Sequence, residues 1–347
     1  MGVPVTAMIL ALALSLLQDS PVSDRQEPGQ AVSSELPSLD RLPLNEEKRG
    51  QLKEALRMRD LGAAEKVLVG EIESQPTARE LLVFAGNLFF LDRKYLNSAI
   101  AFKKAEALQP LDPSSRFTLA MSYIVLERRD WARPELEKLR EEAPSNPLYW
   151  YWLARLDYDA QQFSEAIRKF QSVIELDPQF MKAFDNLGLC YEGLGQFDEA
   201  IQSYQKAIEL NRRLAAPSPW PALNLGTLLA RLNRLDEAET SLQESVHQNG
   251  QLSQTHYQLG IVFEKKNQLV RAIEALDQSV RIDPAYPEPH YALGRIYRRR
   301  GESEKAKEAF AAFEKLKTRK RGKGADSGEP SHTPPSHAAE SPEKSVR

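Results

Sequence analysis

The sequence predicts an all-α protein, a right-handed α-solenoid of stacked antiparallel helix hairpins. Three observations carry that expectation. Small residues recur at Gly86, Ala120, Ala154, Gly188, Gly226, Gly260 and Gly294, at intervals of 34 residues except for one of 38. Twelve residues after each stands a second small residue (Ser98, Ala132, Ala166, Ala200, Ala238, Ala272, Ala306), and four further on a bulky one (Phe102, Leu136, Phe170, Tyr204, Leu242, Leu276, Phe310). Prolines close the units at Pro76, Pro110, Pro144, Pro178 and Pro284. A fixed period of this length marks an architecture in which each unit contacts mainly its neighbours.

Within a unit, apolar residues lie three and four apart in two stretches, the spacing of amphipathic helices. Residues 183–194 (AFDNLGLCYEGL) form one such stretch and residues 198–210 (DEAIQSYQKAIEL) its partner. Two helices joined by a short turn approach closely only where the crossing side chains are small. The Gly/Ala columns therefore belong at the contact, and the bulky column fills the gap to the neighbouring helices. A proline after the second helix removes a backbone donor and ends it.

Two units show the pattern most fully, AFDNLGLCYEGLGQFDEAIQSYQKAIELN at 183–211 and HYQLGIVFEKKNQLVRAIEALDQSVRIDP at 256–284. On these residues the chain resembles the tetratricopeptide repeat (TPR) family. The resemblance covers about 45–320 as eight repeats, at 45–78, 79–112, 113–146, 147–180, 181–214, 219–252, 253–286 and 287–320. The first is degenerate, with Leu52 in place of its small residue, although LGAAEKVL and Pro76 keep the register. Arg116 and Ala222 stand where the family usually has an aromatic residue, and Asp157 where it has Tyr or Phe, so looser packing is expected there. The extra four residues fall in RRLAAPSPWP, where prolines at 217, 219 and 221 make a stiff joint.

The flanks read differently. Residues 2–17 carry no charge, and AMILALALSLL at 7–17 has the length of a secretory h-region and is short for a membrane span. Residues 1–20 are expected to be a signal peptide or a short anchor, which implies export to a periplasmic or extracellular place; a cytoplasmic location is the alternative. Residues 21–44 read as a flexible linker, and 321–347 as a disordered Ser/Pro-rich tail. Between residues 295 and 323 there are twelve basic and four acidic side chains, against a whole-chain charge of −3.

Composition restricts chemistry. The 347 residues include one cysteine and five histidines, so an intrachain disulfide and a cysteine-cluster zinc site are excluded. No phosphate-loop, dinucleotide, HExxH or GxSxG motif is present. No catalytic residue, cofactor or metal is expected. Cys190 reads as a buried structural thiol, and His256 and His290 as core-filling residues of one column.

The resemblance implies that the first helix of each repeat lines a concave groove that holds extended peptides. Projection of those helices gives Phe84, Asn87 and Phe117, then Tyr151, Trp152 and Arg155, then Asn186, Asn224 and Gln258, with Tyr257, Tyr291 and Arg295 extending the wall. Asn186, Asn224 and Gln258 occupy equivalent places and resemble the amide ladders by which some TPR superhelices grip a peptide backbone. The carboxylate clamp of chaperone-binding TPRs is not matched, because Asn87 has Val83 and Thr118 as its neighbours in that pattern. The leading expectation is a non-enzymatic interaction scaffold with a protein or peptide partner. The alternatives are a cytosolic adaptor whose basic end contacts RNA or another acidic partner, and a regulatory subunit of an enzyme complex. Membrane contact is expected only through an uncleaved N-terminus, and self-association through Phe313 and Leu316 of the final repeat.

Overall fold

The computed structural model describes residues 39–327, with side chains described through Arg319. The expected signal or anchor, most of the linker and the tail beyond Ser327 lie outside the described residues. Contacts divide the chain into two compact units, residues 1–196 and 197–347. Among the described residues there are sixteen α-helices and no strand.

The first unit contains α1 (Glu46–Arg57), α2 (Leu61–Ser74), α3 (Arg79–Leu91), α4 (Tyr95–Leu108), α5 (Pro113–Val125), α6 (Arg129–Glu142), α7 (Pro147–Asp159), α8 (Phe163–Leu176) and α9 (Met181–Gly193). The second contains α10 (Phe197–Asn211), α11 (Trp220–Arg231), α12 (Leu235–Gln248), α13 (Ser253–Lys265), α14 (Leu269–Ile282), α15 (Pro287–Arg299) and α16 (Ser303–Ser327). Consecutive helices pack as hairpins, and the hairpins stack in each unit, the all-α solenoid arrangement. First helices of successive repeats also touch, α3 with α5 and α7 with α9 in the first unit, α11 with α13 and α13 with α15 in the second.

The hairpin contact is set by absent side chains. A β-carbon on Gly86 would lie 2.8 Å from the Phe102 ring. On Gly226 and Gly260 it would lie 2.6 Å from the Leu242 and Leu276 Cγ atoms, and on Gly294 2.6 Å from the Phe310 ring. The second small column is enclosed, Ala132, Ala166, Ala238 and Ala272 having no exposed surface. Ser98 holds that position in its repeat by donating its hydroxyl to the Gly86 carbonyl at 2.8 Å. In the degenerate first repeat Leu52, Ala64 and Leu68 are all fully buried, so the register survives a bulky residue.

Helix ends follow equally simple rules. Helices α2, α4, α6, α8 and α14 each stop two residues before their closing proline, at Ser74, Leu108, Glu142, Leu176 and Ile282. The turn between the helices of a hairpin needs a left-handed residue, found at Arg59, Arg93, Glu127, Gln161, Gly195, Asn233, Asn267 and Gly301, with φ between 57° and 76°. The following N–H closes each cap by donating to the carbonyl five residues back, as in Lys94 N to Phe89 O and Gln268 N to Phe263 O, both 2.8 Å. Asn211 closes the proline-rich joint, its amide donating to Ser218 O at 2.7 Å and accepting from Ser218 N at 2.8 Å.

Three expectations are corrected. Arg116 and Asp157 do not loosen their repeats: both are buried in ionic clusters. Arg116 pairs with Glu135 at 2.9 Å and Glu106 at 3.2 Å, while Asp157 accepts from Arg133 at 2.8 Å and from Lys169. Residues 39–44 are not free linker, because a 3-10 turn at Leu39–Arg41 brings Leu42 and Leu44 onto the core, and Arg49 Nη2 donates to both of their carbonyls at 3.2 and 3.0 Å. Residues 321–327 are helical rather than tail, as α16 continues to Ser327 with no proline before Pro330 to stop it.

The close approach at Gly260 predicts that Gly260→Val lowers stability by about 1–3 kcal/mol, through displacement of Leu276. Asn267→Gly, at a left-handed turn position, leaves stability unchanged or raises it. Urea unfolding midpoints of the two variants check the pair.

Candidate functional site

The twelve groove residues separate into a closed set and an open set. Those of the first unit sit on α3, α5, α7 and α9 and are buried, except for the half-buried Arg155. Phe84 has no exposed surface and packs with Leu81 and Leu88, which removes it from any binding surface. Asn87 is buried and donates to the Val83 carbonyl of its own helix at 3.0 Å. Phe117 is buried with its ring 5.8 Å from Tyr149.

Around α7 the aromatic side chains fill one another's space. Tyr151 is 2% exposed, with its ring 5.5 Å from Trp152, 5.8 Å from Phe170 and 5.1 Å from Phe180. Burial pushes its hydroxyl pKa up to about 12. Trp152 is buried beside it. Arg155 donates to Asn186 Oδ1 at 3.2 Å, approaches Asp159 at 4.0 Å and lies over the Tyr158 ring at 5.8 Å. Asn186 is fully buried and donates to the Lys182 carbonyl at 2.7 Å. Donor and acceptor of this amide are thus committed within the protein, which withdraws it from the expected ladder.

The second-unit residues are open. Asn224 on α11 and Gln258 on α13 are half-buried at equivalent places on touching helices. Tyr257 is half-buried, edge-on to Tyr286 at 5.4 Å. Tyr291 is 45% exposed, resting on Phe310 at 5.7 Å and Phe313 at 5.1 Å. Arg295 lies over the Tyr291 ring at 5.5 Å and donates to Glu264 of α13 at 2.6 Å. Tyr257, Ile261, Glu264 and Lys265 form one stripe along α13, and Tyr291, Arg295, Arg298 and Arg299 the matching stripe along α15. Each of these eight side chains is at least partly exposed. Glu264 and Lys265 escaped the sequence reading. The available signal was a basic column, Arg231, Lys265 and Arg299, at the 34-residue period.

Other singled-out residues have plain surroundings. His256 Nε2 lies 3.0 Å from Gly250 O. Burial lowers the His290 pKa below its ordinary value, against the opposing charge of Asp277. Cys190 is fully buried, and burial pushes its thiol up to about 12. Among the described residues no cluster of His, Cys, Asp and Glu is arranged to hold a metal ion, and no helix is long and apolar enough to cross a membrane. At the end of the array Phe313 and Leu316 are half-buried, and Lys315, Lys317 and Arg319 are exposed.

Comparison with known proteins bears on the fold. Models described as tetratricopeptide repeat match residues 117–179, 186–214, 219–244 and 287–318, and one described as TPR repeat matches 265–301. No curated protein matches the chain in sequence. Among solved structures, a tetratricopeptide repeat protein from Parabacteroides merdae ATCC 43184 aligns with TM-score 0.57 at 16% identity, over 69% of this chain and 93% of that one. A chain of the APC/C hetero-tetramer Cut9-Hcn1 aligns with TM-score 0.57 at 17% identity, over 84% of this chain and 52% of that one. PilW, a type IV pilus biogenesis factor, aligns with TM-score 0.53 at 19% identity, over 57% of this chain and 90% of that one. At these identities the likeness concerns the fold.

Burial and the raised pKa predict that Cys190 stays unmodified by dithionitrobenzoate in the native protein and reacts at once in urea. Rapid native labelling, followed by absorbance of the released thiolate, contradicts the assigned core position.

Proposed function

The chain is a tetratricopeptide-repeat protein, and from that premise we propose that it is a non-enzymatic scaffold holding an extended segment of a partner protein on the open stripes of α13 and α15. The observation that carries the reading is the contrast in accessibility. Tyr257, Gln258, Tyr291 and Arg295 keep exposed surface on two adjacent first helices, whereas Tyr151 and Trp152, the counterparts of the tyrosines and of Gln258, are buried. Tyrosine suits this task because it offers a large rigid face together with a polar tip. The half-buried amide of Gln258 adds a donor and an acceptor for main chain running across the helices.

Export belongs to the same reading and is supported by the uncharged N-terminal residues 2–17. Mass spectrometry of the mature protein tests it: loss of residues to about position 20 is the expected result, and an intact Met1 in a soluble fraction would favour the cytosolic adaptor.

Peptides selected against the full chain from a displayed random library test the groove. Tyr257→Ala and Tyr291→Ala are each expected to weaken the selected peptide about ten-fold, by isothermal calorimetry. Trp152→Phe, within the closed set, leaves affinity unchanged. Full affinity in both tyrosine variants, with helicity intact, would sink the reading.

A further inference from the structure

The two open stripes end in charge that the protein itself leaves uncompensated. Lys265 closes the α13 stripe and Arg299 the α15 stripe, one repeat apart, and both are exposed. Lys265 Nζ donates to the Ala230 carbonyl at 2.6 Å, and Arg299 Nη2 to the Asn267 side-chain oxygen at 2.9 Å. These acceptors are neutral. They also show each cation reaching back to the end of the preceding first helix, so the row is continuous. Arg298, beside Arg299, lies over the Phe310 ring at 5.8 Å. The nearby carboxylates are engaged or distant. Glu264 is taken by Arg295 at 2.6 Å, Glu302 by Arg300 and Lys305 at 2.7 Å each, and Glu288 stands at the opposite end of α15.

We propose that this surface receives an acidic extended protein segment whose carboxylates stand three residues apart, one on Lys265 and the next on Arg299. The proposal rests on the scaffold reading above and specifies its partner. Its register follows from two lengths. Packed neighbouring helices lie about 8–10 Å apart, and an extended chain in the polyproline II form advances about 3.1 Å per residue with three residues per turn, so every third side chain faces the same side. Three residues of partner therefore span one repeat. A lysine and an arginine along one row match successive carboxylates, the arginine able to bind bidentately. The engaged Glu264–Arg295 pair sits between the aromatic end and the basic end, so it contributes no net charge to the row.

Fluorescence anisotropy on the full chain tests this with four labelled probes. They are a peptide with Glu at every third position, one of the same composition with its Glu residues clustered, one with Gln in place of Glu, and a single-stranded deoxyoligonucleotide of equal charge. The spaced Glu peptide is expected to bind about five- to ten-fold tighter than the Gln peptide, the range of two partly exposed ion pairs, and the preference shrinks with added salt. It also outbinds the clustered peptide. The double variant Lys265→Gln with Arg299→Gln keeps a donor for Ala230 and for Asn267. It is expected to melt like the parent, to bind the Gln peptide as the parent does, and to lose the preference for Glu. Equal binding of Glu and Gln peptides by the parent overturns the acidic partner and leaves the scaffold reading standing. Binding of no peptide overturns both. Tighter binding of the oligonucleotide, lost in the double variant, replaces the acidic protein segment with nucleic acid.

Discussion

Where two helices of a repeat cross, the side chain that is missing matters most. Gly226, Gly260 and Gly294 each leave a hollow that a leucine or phenylalanine sixteen residues later fills, so closely that an added β-carbon would sit 2.6 Å from it. That approach brings each hairpin together, and the stacking of hairpins then brings the first helices of neighbouring repeats into contact. Equivalent positions on those helices consequently form rows at the repeat spacing. The surface proposed to hold a partner is made of such rows.

The same backbone plan supports two opposite outcomes. In the first unit the row positions carry large aromatic and apolar groups, and Tyr151, Trp152 and Phe117 bury themselves against their neighbours. Full burial of an aromatic side chain contributes about 1.5–3 kcal/mol, so closure is favoured over an open floor. The second unit has Leu223, Thr227, Ile261 and Gln258 along the corresponding stripes, which leave Tyr257 and Tyr291 without enough neighbours to enclose them. Exposed tyrosine beside exposed arginine and lysine is a surface suited to recognition, and enclosed tyrosine is core.

Much of the fold was legible because each requirement fell on one residue type. Small residues at the crossing, bulky residues opposite them and prolines after the second helix all repeat visibly. The hairpin turn was not legible, although it too recurs at the same spacing. Its requirement is a left-handed backbone held by main-chain hydrogen bonds, and Arg93, Glu127 and Gln161 meet it as well as Gly195 does. The buried ions at Arg116 and Asp157 are not legible in the sequence, since their partners Glu135, Arg133 and Lys169 lie on other helices. The candidate site was half legible. Helical projection identifies the face a residue occupies, whereas accessibility depends on the neighbours. Nothing local in the sequence distinguishes the fully buried Asn186 from the half-buried Asn224.

The division into closed and open rows is the claim on which the functional account stands. Hydroxyl-radical footprinting of the free, folded chain, read residue by residue by mass spectrometry, measures it directly. The account predicts rapid oxidation of Tyr291, slower oxidation of Tyr257, and protection of Tyr151 and Trp152 until the protein unfolds. Oxidation of Tyr151 and Trp152 at the rate of Tyr291 would contradict it.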